Sequence, residues 1–243
     1  VSVGVFGLNL HAYMDQYDYH KEYLIENPEK YCEYDIQTKQ LQYLIMSIDG
    51  LCDLKGSKNY VLKKAYKQFS KAVGELYEFL HIFKSDLKNI EIDRKENKDF
   101  WLCDLIMVYD DYKVHAEFES TGIKKLIRLF TYLQKMVRGE IVFIDEFDSN
   151  LHDVYLCAIL EYLMEHGKGQ LCFTTHNVGP MDVLRRRKKS IDFLSENHKI
   201  YPWTANGNYS PAKLYRNGMI EGSPFNVDSI DFIGVFDSGE EDE

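Results

Sequence analysis

Two neighbouring acids at the end of an apolar run are the residues best suited to chemistry in this chain. Ile141-Val142-Phe143-Ile144 is followed at once by Asp145-Glu146. Four consecutive apolar residues are the pattern of a strand buried in a parallel sheet. Ligands bind such sheets outside the carboxyl ends of the strands. Burying a pair of carboxylates there is costly unless a cation or a hydrogen-bonding substrate meets them. A Mg²⁺–nucleotide complex would supply both. The first acid, Asp145, would hold Mg²⁺, and the second, Glu146, would orient or deprotonate an attacking water. A second apolar strand at 170–175 also ends in polar residues, and His176 follows it. That places an imidazole at the same expected edge, within reach of a terminal phosphate or of the water. The plainer readings are a strand that ends in a polar turn and a histidine that caps the next one.

A third group is Glu119-Ser120-Thr121-Gly122, which opens a helix carrying Ile123, Leu126, Ile127, Phe130, Leu133 and Val137. Ser or Thr there is an N-cap. A small start also leaves the first N–H groups and the positive end of the helix dipole open to a phosphate. Lys124 and Lys125 are expected to add positive charge. Between the acids and the following helix lies Phe147-Asp148-Ser149-Asn150-Leu151-His152, with Asp148 or Asn150 as the expected cap.

The rest of the pattern shows what must position these groups. Residues 1–36 read as strands and connections. From about 38 to 85 the rhythm is helical, broken at Gly56-Ser57; Leu62, Ala65, Tyr66, Phe69, Val73, Leu76, Leu80 and Phe83 recur at three and four. Residues 89–118 switch to period two, which predicts an antiparallel meander of three strands. Then helices near 122–138, 150–166 and 180–189 alternate with strands near 141–145, 170–175, 191–195 and 199–203. Short apolar strands alternating with helices predict a parallel sheet covered on both faces. The expected fold class is α/β, with a β-meander and a helical arm or insertion. The segments are 1–37 (β-rich), 38–88 (helical), 89–236 (α/β) and 237–243 (an acidic, disordered tail).

Composition excludes several classes. The 243 residues carry a net charge of −10, and half of that sits in Asp237, Glu240, Glu241, Asp242 and Glu243. A broad phosphate-binding face is therefore not expected. One basic run, Arg185-Arg186-Arg187-Lys188-Lys189, reads as a solvated helix end or, more sharply, as a nucleic-acid or partner contact. No apolar run is long enough to cross a bilayer, so no membrane partner is expected. Five scattered Cys without a CxxC read as reduced thiols in a cytoplasmic protein. His152, His166 and His198 fit no zinc spacing. The opening residues lack the basic start of a signal peptide.

These elements, in this order, resemble the C-terminal lobe of an ABC-type ATPase head. The likeness is to the SMC-like, AAA-like ATPases of the overcoming-lysogenization-defect and abortive-infection families. It covers residues 89–236 and is strongest over 119–177. The resemblance implies a P-loop NTPase fold. Ser120, Thr121 and Gly122 would be the signature motif, 141–146 the Walker B strand, Asp148 and Ser149 part of the D-loop, and His176 the switch histidine. It further implies ATP and Mg²⁺, a head-to-tail homodimer with ATP between subunits, and a role as sensor or motor in prokaryotic anti-phage defence beside a separate effector such as a nuclease. Ile123 and Lys124 stand where a transporter has Gly and Gln, which suits the SMC-like branch. No G-x-x-x-x-G-K-[ST] occurs in the sequence; with no initiator Met, the phosphate loop is expected upstream. No second acidic cluster of the E…DxD type supports a fused nuclease. Two other readings compete: a degenerate, non-catalytic ATPase fold serving as a scaffold, and a metal-dependent hydrolase using Asp145, Glu146 and His176 without nucleotide.

Overall fold

The computed structural model describes residues 10–14, 54–97, 100–194, 198–203, 210–217 and 219–220, which fall in two units, Val1–His176 and Asn177–Glu243. The first unit holds strands β1 (Leu10–Tyr13), β2 (Lys58–Leu62), β3 (Asn89–Asn97), β4 (Phe100–Val108), β5 (Lys113–His115), β6 (Ile141–Ile144) and β7 (Gln170–Phe173). Its helices are α1 (Tyr66–Phe83), α2 (Thr121–Arg138) and α3 (Asp153–His166).

Period two builds the antiparallel sheet. β3 pairs along the whole of β4, from Asn89 opposite Val108 to Asn97 opposite Phe100. β2 and β5 lie end to end along the other edge of β4. Cys103, Leu105 and Met107 alternate into the core. Two local expectations give way. Lys58–Leu62 is a strand, although it lies just after Gly56-Ser57 in the stretch 38–85 read as helical; Tyr60 and Val61 pair with Leu102 and Trp101, and cross-strand packing of aromatic and β-branched residues outweighs helical spacing. Ala116–Phe118, read as strand, is a 3₁₀ turn. α1 starts at Tyr66 and buries Phe69, Val73, Leu76 and Leu80, packing on β3 and α2.

The parallel sheet has the order β1-β6-β7. His11, Val142 and Leu171 share one row, and Tyr13, Ile144 and Phe173 another. Val142, Ile144 and Tyr13 are buried on the face where α2 packs. Phe143 points the other way and is 41% exposed. Among the described residues the sheet is therefore covered on one face, where the sequence predicted two. The turn Gly167-Lys168-Gly169 is a packing feature. A Cβ on Gly169 would lie 2.0 Å from the Glu140 carbonyl oxygen, and the Gly169 N–H donates to the Met136 carbonyl at 2.9 Å. Only glycine permits that approach.

The second unit holds α4 (Gly179–Val183), β8 (Asp192–Leu194), β9 (Ile200–Pro202) and α5 (Pro211–Arg216). Ile191, Phe193 and Trp203 form its core, with Met181, Leu184 and Tyr215 packed on it. The helix predicted to reach 189 ends at Val183 and continues as 3₁₀ turns at Leu184–Arg186 and Lys188–Ser190. Arg185, Arg186 and Arg187 are exposed. The strand readings within 1–9 and 15–36, the helix read at 38–52 and the tail 237–243 lie outside the described residues. Among the described residues no helix is long and apolar enough to cross a membrane.

Candidate functional site

The site lies at the carboxyl ends of β6 and β7. Both strands stop where their apolar residues stop, so Asp145 and Thr174 are the first residues past the paired rows. The ladder extends slightly beyond the strands: the Asp145 N–H donates to the Tyr13 carbonyl at 2.9 Å and the Thr174 N–H to the Ile144 carbonyl at 3.0 Å.

Thr174 joins the two acids. Its hydroxyl donates to Asp145 Oδ1 at 2.6 Å and accepts from the Glu146 N–H at 2.8 Å. The Phe147 N–H then donates to the Thr174 carbonyl at 2.9 Å, and the Phe147 ring is fully buried against Phe173. This anchor turns the chain so that Asp145 and Glu146 stay exposed while Phe147 goes inward. The acids are thus not buried, and the cost of burying them does not argue for a cation. Their placement beside one another at the rim of a parallel sheet is the argument that remains.

Glu146 has a backbone φ of +46°, a left-handed conformation rarely adopted by a residue with a side chain. Its peptide is held on both sides, by the Thr174 hydroxyl at its N–H and by the Ser149 N–H on its carbonyl at 3.0 Å. Lys125 Nζ donates to the same carbonyl at 2.5 Å and to Ser149 Oγ. The lysine expected to offer charge to a phosphate is instead buried and engaged with this loop. Lys124 Nζ donates to the Glu117 carbonyl at 3.2 Å.

His176 reaches the same rim. Its side chain is exposed, and its N–H donates to Asp148 Oδ1 at 3.3 Å. Asp148 therefore ties the loop after β6 to the one after β7 and does not cap α3. Nor does Asn150: His152 is the N-cap, its Nδ1 accepting from the Val154 N–H at 3.3 Å.

The start of α2 closes the group. Ser120 is its N-cap, Oγ accepting from the Ile123 N–H at 3.3 Å, and Thr121 is exposed. A Cβ on Gly122 would lie 2.7 Å from the Asn150 carbonyl oxygen, so this glycine lets the helix start rest on the loop that carries the acids. Just before it, Glu119 accepts from the Tyr109 hydroxyl. Burial first, and that bond second, raise the Tyr109 pKa far above its ordinary value. All eight predicted residues thus lie at the start of α2 (Ser120, Thr121 and Gly122), on the loop after β6 (Asp145, Glu146, Asp148 and Ser149) and on the loop after β7 (His176), joined by hydrogen bonds or by that close approach. Sequence reasoning missed Thr174 and the true place of Lys125. Thr174, the first of the two threonines before His176, was visible in the sequence, but nothing local marked it as a bridge.

Among the described residues no three His, Cys, Asp or Glu side chains cluster as a metal cage. An exposed carboxylate oriented by a hydroxyl fits Mg²⁺, which binds through one or two carboxylates plus water and phosphate oxygens.

Residues 68–182 match a family model described as "AAA domain, putative AbiEii toxin, Type IV TA system". This stretch is similar to AAA-type ATPase domains. It is just under half of the chain, runs from within α1 to within α4, and contains every residue of the site. The similarity supports an α/β, P-loop-like fold and a nucleotide-binding, ATPase-like role. No curated protein matches the chain.

Proposed function

We propose that this chain is the C-terminal lobe of an ABC-type, SMC-like ATPase that binds and hydrolyses ATP. The observation that carries the reading is the Thr174 hydroxyl bridging the Asp145 carboxylate and the Glu146 peptide at the ends of adjacent parallel strands, within a stretch similar to AAA domains. Asp145 would hold Mg²⁺, partly through water, and the metal would neutralise developing charge on phosphate oxygens. Glu146 orients a water and takes its proton on the carboxylate. His176 donates a hydrogen bond from its ring to a terminal phosphate oxygen. Ser120, Thr121 and Gly122 present the start of α2 to the phosphates held by a second copy, and Asp148 and Ser149 line the same contact, so that two copies meet head to tail. ATP binding of this kind requires a phosphate loop, and no G-x-x-x-x-G-K-[ST] string occurs within these 243 residues.

The family's description as "putative AbiEii toxin, Type IV TA system" fits a place in prokaryotic defence; a separate effector, such as a nuclease, would act beside it. The exposed Arg185, Arg186 and Arg187 support a nucleic-acid or partner contact there. The deciding experiment is Glu146→Gln in the complete, loop-bearing protein. ATP turnover should fall at least about a hundredfold, in keeping with loss of a general base, while an ATP-bound dimer accumulates on size exclusion. Wild-type turnover in that variant refutes the role of Glu146. Phosphodiester cleavage without ATP would favour the nucleotide-free hydrolase instead.

A further inference from the structure

Lys125 is out of place by residue type. It lies in the first turns of α2 among Leu126, Ile127 and Leu129, and only 2% of its surface is exposed. An ammonium is seldom buried unless other groups replace its water. Here Nζ donates to the Glu146 carbonyl at 2.5 Å and to Ser149 Oγ. It also sits 5.8 Å from the centre of the Tyr13 ring, whose face attracts cations. Tyr13 closes β1, Glu146 and Ser149 belong to the loop after β6, and the lysine belongs to α2. One charge therefore joins three segments that meet at the rim.

We propose that Lys125 is a positioning residue: it holds Glu146 in its left-handed conformation and keeps the 145–150 loop seated on the start of α2. Its consequence for turnover rests on the ATPase reading above; its consequence for the loop does not. Glu146 at φ +46° adopts a backbone that relaxes toward the right-handed or extended regions unless its surroundings prevent it. Thr174 fixes the N–H side of that residue, and Lys125 and the Ser149 N–H fix the carbonyl side. Releasing the carbonyl lets the peptide rotate and swings the carboxylate away from the rim. The bond from Lys125 to the Glu146 carbonyl links it to the acid, and through Glu146 to the chemistry. That places the loss in kcat and spares KM.

The test uses Lys125→Met, which keeps the stem and removes the donors, in the complete protein. Amide exchange in the 145–151 peptide should rise at least tenfold, with α1 peptides unchanged. The kcat for ATP should fall at least tenfold, with KM within twofold. Ser149→Ala removes the hydroxyl acceptor of Lys125 and should give smaller changes in the same direction; should Lys125→Met fail to fold, a rise in exchange at 145–151 together with a fall in kcat in Ser149→Ala supports the proposal, and the absence of either overturns it. Unchanged exchange at 145–151 overturns the proposal, and so does faster exchange with unchanged kcat. If the wild-type protein hydrolyses no ATP, the ATPase reading falls, and exchange at 145–151 alone decides the role of Lys125.

Discussion

Gly122 and Gly74 are both helical glycines, yet replacing each with alanine should shift stability in opposite directions. In α1, a Cβ on Gly74 would meet nothing within 4 Å, and the position is exposed. Alanine there keeps helical φ/ψ and loses less conformational entropy on folding, which should stabilise by about 0.5–1 kcal/mol. In α2, a Cβ on Gly122 would lie 2.7 Å from the Asn150 carbonyl oxygen. The obstacle is backbone and cannot rotate aside as a flexible side chain would. Asn150 is itself left-handed at φ +59°, and its loop is fastened by Lys125 and by the Leu151 N–H on the Asp148 carbonyl. Forcing helix and loop apart by a few tenths of an ångström should cost about 1–3 kcal/mol, the usual range for overpacking. Set against the helical gain from alanine, the net loss should be about 1–2 kcal/mol. At about 2–4 °C per kcal/mol for a domain of this size, the two variants should melt roughly 5 °C apart, Gly122→Ala below the parent and Gly74→Ala above it. Urea midpoints should show the same order. A Gly122→Ala protein as stable as Gly74→Ala would refute the contact between the helix start and the acid-bearing loop.

Two further expectations follow from the same geometry. Thr174→Val removes the donor to Asp145 and the acceptor for the Glu146 N–H. Because the site is exposed, stability should fall by only about 1 kcal/mol in urea titration, whereas ATP turnover in the complete protein should drop at least tenfold; turnover equal to wild type would remove Thr174 from the site. Burial pushes the Cys103 thiol up to about 11, so roughly one thiol in a thousand is ionised there at pH 8. Peptide mapping after iodoacetamide at that pH should find Cys103 modified at least tenfold more slowly than the partly exposed Cys157 and Cys172, and equal rates would contradict its placement in the core.

Most of what was legible in the sequence was local. Ile141–Ile144 and the rhythm of α2 and α3 announce themselves because burial imposes a period on neighbouring residues. The acids and His176 were found because they stand directly after such runs. What escaped depends on partners far along the chain. β1 pairs with β6 across some 130 residues, Thr174 reaches Asp145 across 29, and Lys125 reaches Glu146 across 21. Lys125 looked like surface charge because its type says so. Its burial becomes visible only once the loop supplies a carbonyl and a hydroxyl to replace water. Lys58–Leu62 was misread for a related reason, since its strand character comes from β4 and not from its own spacing.

The fold grips Glu146 by its peptide and leaves its carboxylate at the rim. Architecture and reactivity are thus divided between two parts of one residue. A swap of that side chain would erase the acid while every bond to the main chain stays in place. On the ATPase reading proposed above, an active form and a silent, shape-only form of this domain stand a single codon change apart, and a lineage could pass from one to the other without first becoming unstable.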